Sequence, residues 1–257
     1  MAALRELYLK YRPCIVRISV TSAAGDLHSG TGFHIGDGLI VTARHVMRET
    51  VRRPDIIGEL DVEVDRTLVG IIREVDQQIL TLTKAHYHSD IRVDLAVLET
   101  DFEVHPFRNA SGLKRVNRGR SVSIPIGSHV DDWISDQFIL SKVLVMGYPA
   151  VPLADSPELF ATEAEINALV QNVRVPHPYY VVSSTARGGF SGAPVISDTG
   201  TVIGIIVEAL YGNFKPEETG FNAAITIEPL IRILVDRGIR PSSIDNDIWT
   251  KFLKPPG

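Results

Sequence analysis

The stretch Gly188-Gly189-Phe190-Ser191-Gly192-Ala193-Pro194 decides the fold of this chain, because it places a serine in a run of small residues. Segments 179–183 and 202–207 on either side of it are apolar and β-like. A serine hydroxyl needs a neighbouring base to act as a nucleophile at neutral pH, and glycines leave nearby backbone N–H groups accessible to a developing oxyanion. The stretch therefore predicts a nucleophilic serine on a tight turn between two strands, provided that a base lies close to it.

Two upstream segments supply candidate partners for Ser191. An apolar strand at 39–41 leads into His45, and Asp94 begins the apolar segment 95–98. Histidine is the usual base for a serine nucleophile, and a carboxylate that orients its ring completes a triad. The chain order His, Asp, Ser with wide separations is one of the orders in which such triads occur.

Four short motifs together resemble the trypsin-like (chymotrypsin-fold) serine peptidases, and in particular their bacterial HtrA-like branch. They are a Gly-x-Gly strand at 30–32, Thr-Ala-x-His at 42–45, Asp-Leu-Ala-Val-Leu at 94–98 and Gly-x-Ser-Gly-x-Pro at 189–194. The resemblance extends over residues 16–235. It implies an all-β fold of two six-stranded antiparallel β-barrels with a C-terminal α-helix, and a serine endopeptidase that works through an acyl-enzyme.

The resemblance also gives each residue of the site a role. Ser191 would be the nucleophile, His45 the base that later protonates the leaving amine, and Asp94 the residue that orients His45. The backbone N–H groups of Gly189 and Ser191 would form the oxyanion hole. A protein or peptide would be the substrate.

Two positions depart from the family pattern. Phe190 stands where zymogen relatives carry an aspartate that pairs with a new N-terminus, and Ala193 replaces a glycine. With no Ile-Val-Gly-Gly sequence ahead of the first strand, activation by trimming is not expected; control by loop ordering is favoured, which leaves room for an unidentified regulatory partner protein. The alternative hypothesis is a catalytically silent, protease-fold scaffold that binds peptides or regulates, with Phe190 and Ala193 as early signs of drift.

Substrate preference is inferred from the pocket positions that the resemblance assigns. The residue six before the nucleophile, Thr185, would lie at the pocket base, and Val207 and Ala209 would form the walls. A pocket without an acid at its base does not favour Arg or Lys, and these walls narrow it towards small aliphatic residues such as Ala or Val. The backbone around Glu208 is expected to pair with the substrate as an added strand.

Composition indicates a soluble globular protein. The chain has 257 residues, of which 44% are hydrophobic and 22% charged, and a net charge of −5, which disfavours a nucleic-acid partner. It has no run of 18 apolar residues and no apolar signal segment in the first 20, so neither a membrane span nor secretion is expected. The single cysteine, Cys14, cannot form an internal disulfide, and we therefore predict a cytoplasmic location.

The spacing of apolar segments predicts one peptidase domain over residues 1–257. Its N-terminal barrel is expected at about 14–105, its C-terminal barrel at about 140–227 and its C-terminal helix at about 228–237. The remaining tail is too short for the peptide-binding second module of HtrA-type proteins. We also predict a helix at 4–10, a helix start at Ser156-Pro157-Glu158, and strands at 14–20, 32–35, 39–42, 60–64, 67–73, 78–83, 95–99, 142–147 and 166–170.

Two polar clusters are interpreted as ordinary surface. His86 and His88 lie two residues apart near Asp90, but zinc needs at least a third ligand and no second His or Cys cluster accompanies them. Neither a metal nor another cofactor is therefore predicted. The basic run at 114–120 lacks aromatic stacking residues, so a solvated surface is favoured over a nucleic-acid site.

Overall fold

The computed structural model of the protein describes residues 2–54, 59–102, 122–127, 138–149, 151, 154–171, 176–184, 188–209 and 221–253. In this part of the chain the helices are α1 (Ala2–Tyr11), α2 (Arg44–Met47), α3 (Glu228–Asp236) and α4 (Asn246–Leu253). The strands are β1 (Ile15–Thr21), β2 (Leu27–His34), β3 (Leu39–Thr42), β4 (Arg48–Pro54), β5 (Glu59–Asp65), β6 (Thr67–Arg73), β7 (Gln78–Leu80), β8 (Leu82–Tyr87), β9 (Ala96–Thr100), β10 (Lys142–Gly147), β11 (Phe160–Gln171), β12 (Pro178–Val182), β13 (Pro194–Ser197), β14 (Val202–Ala209) and β15 (Asn222–Thr226). None of the described helices is long and apolar enough to cross a membrane.

The N-terminal half is a seven-stranded sheet in the order β7-β6-β1-β2-β3-β9-β8. Its two edge strands, β7 and β8, are consecutive in the chain and separated only by Thr81. Because one residue joins the two edges, the sheet must curl until they meet. Counted as one bent strand, β7 and β8 make this a curled, half-barrel sheet of six strands.

The C-terminal half is a closed antiparallel barrel in the order β10-β11-β12-β15-β14-β13. Closure pairs every strand on both sides and leaves no exposed edge. The predicted fold class, two antiparallel barrels followed by a helix, is confirmed.

Two hydrophobic clusters build the core of the described residues. The smaller one fills the closed barrel, with Val143, Val195 and Ile203 among its buried members. The larger one combines the curled sheet with the C-terminal helices. In α3, Leu230, Ile231 and Leu234 share one buried face, and the helix contacts β9 and α4. The helices therefore cover the first sheet and stabilise it through apolar burial.

Several local predictions are confirmed and others are wrong. The strands predicted at 67–73 and 142–147 are present with those bounds. The helix start at Ser156 is wrong: the chain is irregular there until β11 begins at Phe160. Strand β4 and helix α4 were not predicted, and the basic run at 114–120 lies outside the described residues.

His34, the last residue of β2, is a fully buried and uncharged histidine. The His34 ring donates from Nδ1 to the Val122 carbonyl (3.0 Å) and accepts at Nε2 from the Gly38 N–H (3.3 Å). Its ring stacks on Phe102 with centroids 4.0 Å apart. Burial lowers the pKa of His34 from 6.5 to about 4. The folded state thus holds this ring neutral well below the pH at which an unfolded chain would protonate it.

We predict that His34 makes the fold acid-sensitive. As pH falls from about 6.5 to about 4, only the unfolded state takes up this proton, so the free energy of unfolding should fall by about 3 kcal/mol from this residue. His34→Gln, which keeps a donor and an acceptor but does not titrate, should flatten the dependence. Urea unfolding of both proteins from pH 7 to pH 4 measures this, and parallel curves would contradict it.

Candidate active site

His45 and Asp94 come together because their strands pair. His45 lies on α2 directly after β3, Asp94 lies just before β9, and the two strands align Thr42 with Ala96. Asp94 Oδ2 lies 2.6 Å from His45 Nδ1, and Asp94 Oδ1 accepts the His45 backbone N–H at 2.8 Å. A carboxylate only accepts, so Nδ1 carries a proton, and in the neutral form of the ring the lone pair lies on Nε2. Both carboxylate oxygens therefore fix one residue, its ring and its backbone together.

The Ser191 loop is packed so tightly that only glycine fits at two of its positions. Gly189 has φ +101° and Gly192 has φ +90°, conformations that other residues rarely adopt. A Cβ on Gly189 would lie 2.3 Å from the Tyr148 carbonyl oxygen, and one on Gly192 would lie 2.1 Å from that of Thr31. The glycines of the motif thus permit a close approach between backbones as well as the turn itself.

Two N–H groups of the Ser191 loop have no hydrogen-bond acceptor in the part of the chain that the structure describes. The Gly192 N–H donates to Ile206 O at 2.7 Å, and the Ala193 N–H donates to Phe190 O at 2.8 Å. In contrast, the N–H groups of Gly189 and Ser191 donate to no acceptor within the described ranges. Unpaired donors on a tight turn are what stabilisation of an oxyanion requires.

Thr31, on β2 of the first barrel, connects the Ser191 loop to the rest of the site. Its N–H donates to Ser191 O (2.8 Å), and its hydroxyl donates to Gly189 O (2.6 Å) and accepts the Tyr148 N–H (2.9 Å). Its own carbonyl accepts from Thr42 Oγ1 at 2.7 Å. Thr31 is fully buried. Sequence reasoning missed this residue, whose only signal was its place between two glycines of a strand.

Strand β2 also brings Ser191 towards His45. A Cβ on Gly30 would lie 3.3 Å from Ser191 O on one side and 2.6 Å from Cγ2 of Val46, the neighbour of His45, on the other. The Ser191 hydroxyl and the His45 ring are not hydrogen-bonded to each other, and the His45 side chain is 47% exposed. Hydrogen bonds of this kind are often long without substrate and shorten in the complex.

A network of ion pairs surrounds the backbone of His45. The guanidinium of Arg44 binds Glu63 on β5 through two bonds of 2.6 and 2.5 Å, and Arg48 binds the same carboxylate at 2.8 Å. The hydrogen bond from Arg44 lowers the pKa of Glu63 below its usual range. Arg66 donates from Nε to the His45 carbonyl at 3.3 Å. The antiparallel pair β4–β5 is thereby tied to α2.

The two departures from the family motif are core residues. Phe190 is 2% exposed and belongs to the core of the closed barrel, where its ring meets that of Phe160 edge to face at 5.9 Å. Ala193 is fully buried in the same cluster. Apolar burial therefore holds the loop at the position where zymogen relatives carry an aspartate.

The predicted pocket residues fall into three groups. Thr185 lies outside the described residues. Val207 is the extra residue of a β-bulge in β14, and it is 3% exposed as part of the larger core cluster. Glu208 and Ala209 pair through their backbones with Ala223 and Asn222 on β15. Bulges often re-aim side chains beside active sites.

The histidine pair of the sequence is accounted for by other contacts. His86 Nε2 lies 2.5 Å from Glu99 Oε1, and His88 packs edge to face against His177 at 5.7 Å. Over the ranges that the structure describes, no three His, Cys, Asp or Glu side chains are grouped so as to hold a metal ion.

The barrel pair, the His45–Asp94 hydrogen bond and the glycine-rich Ser191 loop define a peptidase of the chymotrypsin-like fold. A family model of the trypsin-like peptidase domain matches residues 30–205 of the chain. The chain therefore belongs to the trypsin-like peptidase family, and it is a hydrolase of the serine endopeptidase class. A search of curated protein sequences finds no match.

Solved structures share this fold at low sequence identity. The active form of the Rv3671c protease from M. tuberculosis is 18% identical, with a TM-score of 0.61 over 91% of this chain and 85% of that one. The HtrA-type protease AlgW with a tripeptide is 17% identical, with a TM-score of 0.60 over 92% of this chain and 64% of that one. The resemblance to HtrA-type proteases is thus confirmed at the level of fold.

Substitution of Gly192 tests the tight packing of the loop. Gly192→Ala should destabilise the protein more than Gly238→Ala, a matched control at φ +66° with no atom within 4 Å of the added Cβ. The control should cost only about 1–2 kcal/mol for its left-handed backbone. At Gly192 the added methyl also meets the backbone atoms Thr31 O and Ala43 N. Urea unfolding measures both losses, and equal losses would refute the packing described here.

Proposed function

We propose that the protein cleaves peptide bonds through an acyl-enzyme on Ser191, with His45 as base and Asp94 as its orienting acid. The observation that carries the proposal is the 2.6 Å contact between Asp94 Oδ2 and His45 Nδ1, which leaves Nε2 able to accept a proton. The unpaired N–H groups of Gly189 and Ser191 support it. We further propose that residues 1–257 work as one peptidase domain.

In the first half-reaction, the proton of the Ser191 hydroxyl passes to His45 Nε2 as Oγ forms a bond to the scissile carbonyl carbon. The carbonyl π electrons move to its oxygen, and the N–H groups of Gly189 and Ser191 stabilise that charge. As the carbonyl re-forms, the C–N bond breaks and His45 returns the proton to the leaving amine. Asp94 stays ionised and balances the imidazolium.

In the second half-reaction, water takes the place of the amine. His45 accepts a proton from the water molecule as the water oxygen forms a bond to the acyl carbon. The tetrahedral intermediate then collapses, the bond to Ser191 Oγ breaks, and His45 returns the proton to Oγ. The product is a free carboxylic acid, and the enzyme is restored without any cofactor.

Removal of triad members should abolish turnover without unfolding the protein. Ser191→Ala and His45→Ala should each reduce kcat by at least about 10⁴-fold, and the double variant should lose little more because the residues act as a unit. Asp94→Asn should also lower kcat severely, because the asparagine side chain would favour the wrong tautomer of the His45 ring. Peptide hydrolysis of all four variants measures this, with circular dichroism as the folding control.

Labelling with a fluorophosphonate separates the enzyme from the silent scaffold. The wild-type protein should be labelled at Ser191 in a one-to-one ratio, and Ser191→Ala should not be labelled. Near-normal cleavage by His45→Ala would refute the assignment of the base. Wild-type protein that is never labelled would favour a peptide-binding scaffold instead.

We also propose cleavage after small aliphatic residues. Support comes from the sequence, which places Thr185 rather than an acid at the expected pocket base. Burying an unpaired cation there would be costly. On the side of β14 that does not pair with β15, the backbone around Glu208 would pair with the substrate strand. Because a methylene changes the barrier by only about 1–3 kcal/mol, the preference should be graded rather than absolute.

A peptide library tests this specificity. Peptides with Ala or Val before the cut should be cleaved faster than those with Arg, Lys or Phe. Thr185→Asp should gain cleavage after Arg and Lys by supplying a carboxylate, whereas Thr185→Asn, its uncharged control, should not. A wild-type preference for Arg or Lys would contradict the pocket assignment.

A reducing, cytoplasmic compartment is part of the same proposal. Cys14 is fully buried and its Sγ lies 3.3 Å from Val122 O. Burial raises the pKa of the Cys14 thiol to about 12, so it stays protonated and unreactive. A fold that uses its single cysteine as a core residue has no need of an oxidising compartment. Cell fractionation tests the location, and recovery of the protein in a secreted fraction would contradict it.

A further inference from the structure

The Ser191 loop belongs to the second barrel, but the first barrel holds it at two points. Thr31 on β2 binds Gly189 O through its hydroxyl and Ser191 O through its N–H, so the three residues that include the nucleophile are fixed at both ends. A backbone N–H is available from nearly any residue at position 31. The bond to Gly189, however, requires a side-chain hydroxyl.

That hydroxyl acts on the most adaptable part of the loop. Gly188 and Gly189 lack Cβ atoms, so the peptides around them could adopt several orientations at little cost. Only some of these orientations aim the Gly189 N–H towards the substrate carbonyl. The bond of 2.6 Å from Thr31 Oγ1 to Gly189 O directly fixes the Gly189–Phe190 peptide. It thereby narrows the orientations open to the adjoining Gly188–Gly189 peptide, which carries the Gly189 N–H.

The same hydroxyl is itself held in place. It accepts the Tyr148 N–H at 2.9 Å, so its proton is directed to Gly189 O and its lone pair to Tyr148. Tyr148 and Gly189 are in close contact, since a Cβ on Gly189 would lie 2.3 Å from Tyr148 O. Without the hydroxyl, Gly189 O and the Tyr148 N–H would lose their partner in a buried site, and the loop would move to find others.

We propose that Thr31 is a positioning residue, whose hydroxyl sets the oxyanion-hole geometry of Gly189 and Ser191. The inference rests on the proposed peptidase function. Thr31 is fully buried, and its hydrogen bonds among the described residues go to Gly189, Ser191, Tyr148 and Thr42 rather than to His45 or Asp94. Its hydroxyl therefore acts on stabilisation of the transition state rather than on substrate binding or proton transfer.

The test compares Thr31→Val, which keeps the shape and removes the hydroxyl, with Thr31→Ser, which keeps the hydroxyl. Thr226→Val is the matched control for loss of a buried threonine hydroxyl elsewhere in the barrel, because Thr226 is also fully buried and its hydroxyl faces the Glu228 carboxyl. Peptide hydrolysis gives kcat and KM for each protein, normalised to sites titrated by the fluorophosphonate. Binding of a peptide boronate, which forms a tetrahedral adduct on serine, gives a measure of transition-state affinity.

Thr31→Val should lower kcat by about 10- to 100-fold, the loss expected from a small misplacement of catalytic groups. KM should stay within about twofold, boronate affinity should fall with kcat, and the pH midpoint of kcat should not move. Thr31→Ser should restore most of the activity, and Thr226→Val should match the wild type. If Thr31→Val does not fold, Thr31→Cys takes its place. Because an S–H group is a weaker donor, the kcat of Thr31→Cys should lie between that of Thr31→Ser and the value expected for Thr31→Val.

An active Thr31→Val or Thr31→Cys variant with unchanged kcat would overturn the inference while the proposed function stood. A fall in kcat in Thr31→Val that Thr31→Ser does not rescue would also overturn it, because a hydroxyl at position 31 would then not be sufficient to hold the loop. Wild-type protein that neither hydrolyses peptides nor reacts with the fluorophosphonate would overturn the proposed function, and this inference with it.

Discussion

The site depends on one close contact, where the Ser191 loop lies against strand β2 with no room for a methyl group. Gly192 meets Thr31 O at this point, and the Thr31 hydroxyl and N–H bind the loop on either side of Phe190. The proposed nucleophile comes from one barrel and the proposed base from the other. Their meeting therefore relies on this contact between barrels, since neither barrel carries a complete site.

Different forces hold the two sides of the site. On the His45 side, Asp94 and the Arg44–Glu63 ion pair fix the backbone and ring through charge-assisted bonds, which are strong but need accurate geometry. On the Ser191 side, Phe190 holds the loop through apolar burial in the closed barrel. Neither arrangement uses a newly cut N-terminus. Packing within the closed barrel thus holds the loop at Phe190, and the contact with β2 holds it on either side of that residue.

The sequence predicted what local pattern encodes and missed what depends on distant partners. The bounds of β6 and β10 followed from their short apolar segments, and the His45, Asp94 and Ser191 motifs were found by their order. The helix start at Ser156 failed because the following segment pairs with β10, and tertiary pairing overrides a local capping signal. Thr31 and Arg44 lie at the unspecified positions of the Gly-x-Gly and Thr-Ala-x-His motifs. Their partners, Gly189 and Glu63, are distant in the chain, so no local pattern predicts these contacts.

The most direct test of this account is a crystal structure of the protein inactivated by a peptidyl phosphonate. We expect phosphorus bonded to Ser191 Oγ and the phosphonyl oxygen within about 3 Å of the N–H groups of Gly189 and Ser191. His45 Nε2 should lie within hydrogen-bond reach of Oγ, and Thr31 Oγ1 should still bind Gly189 O. An adduct on another residue, or a phosphonyl oxygen turned away from both N–H groups, would contradict the account.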